Sequence, residues 1–186
     1  MKDMKKYKML IFDMDGTILY TLEDLKNTTN YALNEHGFPE RTLEEVRRFV
    51  GNGIHKLIER AVPEGTSDAD IEAVFTTFEI YYKDHCMDTT RPYDGINDLL
   101  TKLRAKGYMT AVVSNKVDFA VQDLVKDFFV GQFDVAIGER EGVRKKPAPD
   151  SVYEVLKEFD LKKDEVIYIG DSDAVSYTHL RAHETL

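Results

Sequence analysis

Four stretches of the chain are predominantly apolar and end in polar or turn residues. Lys8-Met9-Leu10-Ile11-Phe12 runs into Asp13-Met14-Asp15-Gly16, residues 108–113 into Ser114-Asn115, residues 133–137 into Gly138, and residues 165–169 into Gly170-Asp171. Short, mostly apolar runs bounded by turn residues predict strands buried on both faces. Helical periodicity lies between the later runs. Ile96, Leu99, Leu100 and Leu103 recur at i, i+3, i+4 and i+7, as do Val152, Val155, Leu156 and Phe159, and each stripe could cover one face of a sheet. Gly107 and Pro147-Ala148-Pro149-Asp150 punctuate the pattern, with Asp150 placed as an N-cap. Strand alternating with helix predicts an α/β fold with a parallel sheet, and ligands of such sheets bind beyond the carboxyl ends of the strands. Those ends carry the Asp, Ser and Asn residues.

Residues 18–86 follow another pattern, with helical stretches and no strand. Thr21 with Asp24, Thr42 with Glu45, and Ser67 with Asp70 each set a hydroxyl three positions before an acid, the signature of a helix start. A helical insert after the first strand is predicted, placed to fold over the active end of the sheet. The expected organisation is a core of residues 1–17 and 87–173 with a helical cap of residues 18–86.

Composition narrows the class. The 186 residues are 42% hydrophobic and 32% charged, enough apolar content for a packed core of one domain with an insert. A formal charge of −9, from 25 Lys and Arg against 34 Asp and Glu, argues against a nucleic-acid-binding surface, which needs a basic footprint. The single cysteine, Cys86, cannot form an internal disulfide, and no Cys/His zinc pattern is present. Residues 9–12 are too short for a signal-peptide core, and no stretch reaches transmembrane length. A cytoplasmic protein without membrane or nucleic-acid partners is expected.

The chemistry concentrates at the strand ends. Asp13 and Asp15, spaced D-x-D, point the same way and can act on one reacting centre. One ionised Asp can attack phosphorus to form an aspartyl-phosphate while the other passes a proton to the leaving oxygen and takes one from water. Gly16 and Thr17 predict a tight turn with free N–H groups, which are expected to bind the substrate phosphate along with Ser114 and Asn115. Ser114 and Asn115 can hydrogen-bond phosphoryl oxygens, or serve as turn and cap residues. Lys145-Lys146-Pro147 brings either a cation that neutralises the nucleophile or a solvated basic loop. Asp171 adds a carboxylate at another strand end, and hard oxygen ligands of this kind suit Mg²⁺.

The order DxDGT, S-N, K-P, GDS resembles the haloacid dehalogenase (HAD) superfamily of aspartate-nucleophile phosphohydrolases, over about residues 8–173. The resemblance implies a Rossmann-like core, with Asp13 as nucleophile and metal ligand. It implies Asp15 as general acid/base with its backbone carbonyl on Mg²⁺, Ser114 and Asn115 as phosphate binders, Lys146 as the charge-balancing lysine and Asp171 as a metal ligand. The insert's position is similar to the C1-capped subgroup. Residues 49–61 resemble the GxGxxxLxxRA cap segment of phosphoglycolate phosphatase-like members, where Lys56 or Arg60 could greet an anionic substrate or simply lie on an exposed helix start. The implied activity is Mg²⁺-dependent hydrolysis of a small phosphorylated metabolite such as phosphoglycolate. A phosphomutase of the β-phosphoglucomutase type and a non-catalytic HAD-fold binding protein are the alternatives.

The chain departs from the family after the fourth motif. A GDSxxD pattern would place an acid where Val175 stands, and Asp173 is not at the matching position. Residues 174–186 resemble a translated adapter tail, which implies a truncated gene with a non-native end. His179 and His183 have metal-compatible helical spacing, but the sequence offers them no third and fourth ligands.

Overall fold

A computed structural model of the chain describes residues 6–171 and Thr178. The expectations for Asp173, Val175, His179, His183 and the tail fall outside the described residues. Two compact units are present: one comprises the chain through Leu19 and from Pro92 onward, and the other is Tyr20–Arg91.

The first unit contains a four-stranded parallel sheet in the order β5-β4-β1-β6, with β1 Met9–Phe12, β4 Met109–Val117, β5 Val135–Glu139 and β6 Val166–Ile169. All four apolar runs are therefore strands of one sheet. Alternation along them separates two cores. Met9, Ile11, Ala111 and Val113 join Val152, Val155 and Leu156 of α7 (Asp150–Glu158) on one face. Phe12 and Val112 join Leu100 of α5 (Ile96–Ala105) and Val121 and Leu124 of α6 (Asp118–Phe128) on the other. Helices on both faces make the core doubly wound, which is why its strands are mostly apolar up to their carboxyl ends. The α5 stripe is narrower than its periodicity predicts, for Leu99 is exposed while Leu100 is buried.

The second unit is helical: α1 Leu22–Glu35, α2 Leu43–Phe49, α3 Ile54–Ala61 and α4 Asp68–His85 enclose a core that includes Leu33, Val46, Leu57, Ile58, Val74 and Phe78. A two-stranded pairing of β2 (Leu19–Tyr20) with β3 (Arg91–Pro92) stands where the chain passes between units. These two-residue strands carry no readable alternation, so the sequence put the boundaries a few residues away.

The three predicted helix starts divide by where their acids go. Thr42 and Glu45 form a complete capping box, and Ser67 accepts from the Asp70 N–H at 3.2 Å. Thr21 makes no side-chain cap bond. Its would-be partner Asp24, buried, instead accepts from the N–H and hydroxyl of Thr89 (2.9 and 2.6 Å) and from the Thr90 N–H (2.8 Å), tying the unit's last residues to its first helix. Asp150 is also not an N-cap. Pro149 occupies that position, and Asp150 binds the Arg144 guanidinium with both carboxylate oxygens at 2.9 and 3.0 Å. Among the described residues, no helix is long and apolar enough to cross a membrane.

Candidate active site

Strand register assembles the site. Phe12 is opposite Val112 of β4 and Ile169 of β6, and the Asp13 N–H continues the ladder to the Ile169 carbonyl at 2.8 Å. Asp13 therefore lies beside the polar ends of both neighbouring strands, Ser114-Asn115 on one side and Gly170-Asp171 on the other.

Asp13 is buried, and its Oδ1 accepts from the Met14 N–H at 2.8 Å and from Lys146 Nζ at 2.7 Å. Burial pushes its carboxyl above the usual carboxylate range; the Lys146 ammonium and the Met14 N–H pull it back, and Asp15 pushes it up again. The balance is a raised value. Lys146 is buried as well. Its Nζ donates to the Val113 carbonyl at 3.2 Å and lies 5.7 Å from the centre of the Tyr168 ring, whose hydroxyl donates to the same carbonyl at 2.9 Å. Burial, then the Asp13 charge, raises the Tyr168 phenol and keeps it a neutral donor.

Asn115 brackets the lysine's backbone, donating to the Lys146 carbonyl at 3.0 Å and accepting from the Lys146 N–H at 2.8 Å. Asn115 thus positions Lys146. Ser114 Oγ accepts from the Lys116 N–H at 3.1 Å, leaving its own O–H to donate.

A second lysine enters here that motif reading missed. Lys116 is buried in β4, with Nζ 3.1 Å from Asp15 Oδ1. The only sequence signal was a lysine directly after Ser114-Asn115. The β4–β5 register shifts between Val113 and Val117, which re-aims this part of the strand.

The turn after Asp15 corrects an expectation. The N–H groups of Gly16 and Thr17 are not free, since they donate to the carbonyls of Leu19 and Met14 at 3.0 and 3.2 Å. What the pair does instead is meet Asp171. The Thr17 hydroxyl donates to Asp171 Oδ1 at 3.1 Å, and a Cβ on Gly16, whose φ is +78°, would stand 2.3 Å from Asp171 Oδ2. Glycine is needed here for both conformation and space.

Gly138 on β5 is a second close approach. A Cβ there would lie 2.4 Å from the Asp118 Cα and 2.7 Å from the Lys116 carbonyl, while its N–H donates to Asp118 Oδ1 at 2.7 Å. Gly138→Ala has no flexible side chain to displace and must shift the backbone carrying Lys116. Urea denaturation should show a loss toward the upper end of about 1–3 kcal/mol, together with reduced turnover; unchanged values for both would show that this segment moves freely.

Lys56 and Arg60 belong to the helical unit and have partners within it. Lys56 pairs with Glu59. Arg60 donates to the Phe49 carbonyl at the end of α2 (2.7 Å) and to the Asn52 side chain (3.0 Å). Arg60 thus has a local role: it satisfies an orphan helix carbonyl and pins the Gly51–Gly53 turn.

Among the described residues, no three acidic, histidine or cysteine groups cluster tightly enough to enclose a metal ion. A hard cation that keeps several waters needs only one or two carboxylates. Asp13 and Asp171, on adjoining strand ends, offer that donor chemistry.

A family model for haloacid dehalogenase-like hydrolases matches residues 10–175. The chain is 30% identical over 175 residues to a phosphoglycolate phosphatase of Haemophilus influenzae (strain 86-028NP), covering 90% of this chain and 78% of that protein. It is 31% identical over 170 residues to a phosphoglycolate phosphatase of Nitrosospira multiformis, covering 89% and 75%. The crystal structure of a candidate phosphoglycolate phosphatase from Lactobacillus delbrueckii subsp. bulgaricus superposes with a TM-score of 0.90 at 38% identity, covering 95% of this chain and 83% of that one.

Proposed function

The chain belongs to the haloacid dehalogenase-like hydrolase family and is a phosphatase, and on that premise we propose that it hydrolyses a small phosphomonoester of the phosphoglycolate type through an aspartyl-phosphate, with Mg²⁺ as cofactor. The observation that carries the reading is the Asp13-x-Asp15 pair at the end of the central strand β1, each carboxylate facing a buried ammonium. The likeness to phosphoglycolate phosphatases supports the substrate class.

In Asp13, Oδ1 is taken up by Lys146 and Met14, which assigns the attack on phosphorus to Oδ2. The new Oδ2–P bond forms as the ester P–O bond breaks, and the leaving alkoxide takes a proton from Asp15. Asp15, now ionised, removes a proton from water as that water attacks phosphorus. The Asp13–phosphoryl bond breaks, and inorganic phosphate leaves with Asp13 restored. Lys146 holds Asp13 in place and balances charge on the transferring group, while the Ser114 hydroxyl donates to a phosphoryl oxygen. Asn115 holds Lys146, and Gly16 and Thr17 shape the turn against Asp171. Asp13, Asp171 and the Asp15 backbone carbonyl would hold Mg²⁺, whose charge offsets repulsion between the carboxylate and the phosphoryl oxygens.

The test is phosphate release from a panel of small phosphomonoesters, with Mg²⁺ and after chelation. The expected result is the highest kcat/KM for 2-phosphoglycolate, with activity lost to the chelator and restored by Mg²⁺. Transfer of the phosphoryl group to a sugar hydroxyl without phosphate release would assign a mutase. A flat response to Mg²⁺ across the whole panel would assign a binding protein.

A further inference from the structure

Lys116 is not accounted for by the chemistry above. Its side chain is 2% exposed, whereas that of its partner Asp15 is 29% exposed. An ordinary surface ion pair keeps the ammonium in water, because withdrawing an ion from water costs several kcal/mol that the attraction seldom returns with a surplus. Here the lysine is the buried member. Stability alone is therefore a poor reason for a charge at this position, and an apolar side chain would fill the same volume at lower cost.

The surroundings fix where that charge sits. The Lys116 N–H is held by Ser114 Oγ at 3.1 Å, its carbonyl is overlaid by Gly138, where any Cβ would come within 2.7 Å, and the register shift of β4 turns the segment locally. The ammonium is thus presented on a rigid strand and reaches one oxygen of Asp15. On the same sheet edge Lys146 grips Asp13 at 2.7 Å. Asp15, unlike Asp13, stands in a turn and is only partly buried, so without a rigid partner its carboxylate could adopt several rotamers. Holding Oδ1 leaves Oδ2 as the oxygen that faces the ester.

We propose that Lys116 is a positioning residue for the proton donor: by gripping Oδ1 it fixes the Asp15 carboxylate where it can protonate the departing alkoxide. This rests on the reading of Asp15 as that donor. Lys116 touches neither substrate nor phosphorus and acts through Asp15.

The consequence is selective for the leaving group. An alkyl phosphate needs its alkoxide protonated as it departs, while p-nitrophenolate leaves without help. kcat/KM reports the steps through phosphoryl transfer to Asp13, so a misplaced donor shows there as leaving-group dependence. Lys116→Met, which fills the same space without charge, should lower kcat/KM for an alkyl phosphate about 100-fold, the cost of displacing a catalytic group by roughly an ångström. For p-nitrophenyl phosphate the loss should stay under about 5-fold, since general acid assistance is not required there. Lys116→Arg, which keeps a cation that can reach Asp15, should recover part of the loss on the alkyl substrate. In an Asp15→Asn background, Lys116→Met should cost nothing further on that substrate.

The arms separate the two ideas. If Asp15→Asn itself loses equally on both substrates, the reading of Asp15 as proton donor fails. If Asp15→Asn discriminates between the substrates but Lys116→Met does not, or if Lys116→Met costs as much in the Asp15→Asn background as in the wild type, the reading of Asp15 stands and the role of Lys116 is overturned. Should Lys116→Met not fold, Lys116→Arg carries the decision, because a purely structural lysine predicts equal losses on both substrates.

Discussion

Asp13→Asn is expected to lower Mg²⁺-dependent phosphate release by at least about 10⁴-fold, the scale set by deleting an attacking nucleophile, while leaving the fold and cooperative melting in place. The two expectations come from different atoms of one side chain. Asn keeps an oxygen where Oδ1 accepts from Met14 and Lys146, at 2.8 and 2.7 Å, so β1 and the Lys146 loop retain their anchor. It replaces Oδ2 with an amide nitrogen, whose electron pair is delocalised and cannot attack phosphorus. Asn leaves the buried Lys146 ammonium without its counter-charge, so the melting midpoint should fall, but the retained oxygen keeps the local contacts and the transition stays cooperative. Rapid acid quench of the wild-type protein during turnover should find one phosphoryl group on the peptide carrying Asp13, and none in Asp13→Asn. Turnover within tenfold of wild type, or a phosphoryl group on a different peptide, would remove Asp13 from the role of nucleophile.

The residues most legible in the sequence are those whose function depends on strand ends. An apolar run that stops at an acid states both that the strand is buried and where it opens, so Asp13, Ser114 and Asp171 could be located without knowing strand order. Lys146 was legible through its place in the motif order. Contacts that depend on nonlocal folding were not. Asp24 looked like the acid of a capping pair because its real donors, Thr89 and Thr90, lie 65 and 66 residues away. Gly16 and Thr17 looked like a nest of free N–H groups because the return of Leu19 onto the turn is invisible in the letters. Lys116 carried no motif, and its burial beside Asp15 is set by tertiary structure. Asn115 was recognised as a strand-end polar group, but its partner stands 31 residues away on a loop. Lys116 aside, local pattern located the group and tertiary structure chose its partner.

Lys146→Met should be costly to the site in both stability and rate. Removing one member of a buried pair leaves the other uncompensated, typically at about 3–5 kcal/mol. Two of the influences that hold the Asp13 carboxyl down, the Lys146 charge and its hydrogen bond, vanish together, while burial and Asp15 continue to push it up. Asp13 in the variant therefore holds its proton to a higher pH than in the wild type, and the ionised nucleophile becomes scarcer near neutrality. The sign for stability follows from proton binding. An acid whose folded pKa lies above its unfolded value binds more protons in the native state, so stability falls as pH rises from the unfolded value of 3.8 through the folded one, and is flat beyond it. The metal-free wild type should already show this slope, and Lys146→Met should extend it to higher pH. Urea midpoints for the two metal-free proteins should accordingly lie closest together near pH 4 and separate as pH rises toward 8, because Asp13 gives up its proton at lower pH in the wild type than in the variant. A gap that stays constant over that range would mean that Lys146 stabilises the fold through its contacts with the Val113 carbonyl and the Tyr168 ring, independently of the Asp13 charge. Phosphate release by the variant should fall by about 10³-fold, the scale of removing a preorganised charge from a buried site, and raising the pH should recover part of it as Asp13 ionises. A rate that declines further with increasing pH would contradict the pairing of Lys146 with the nucleophile.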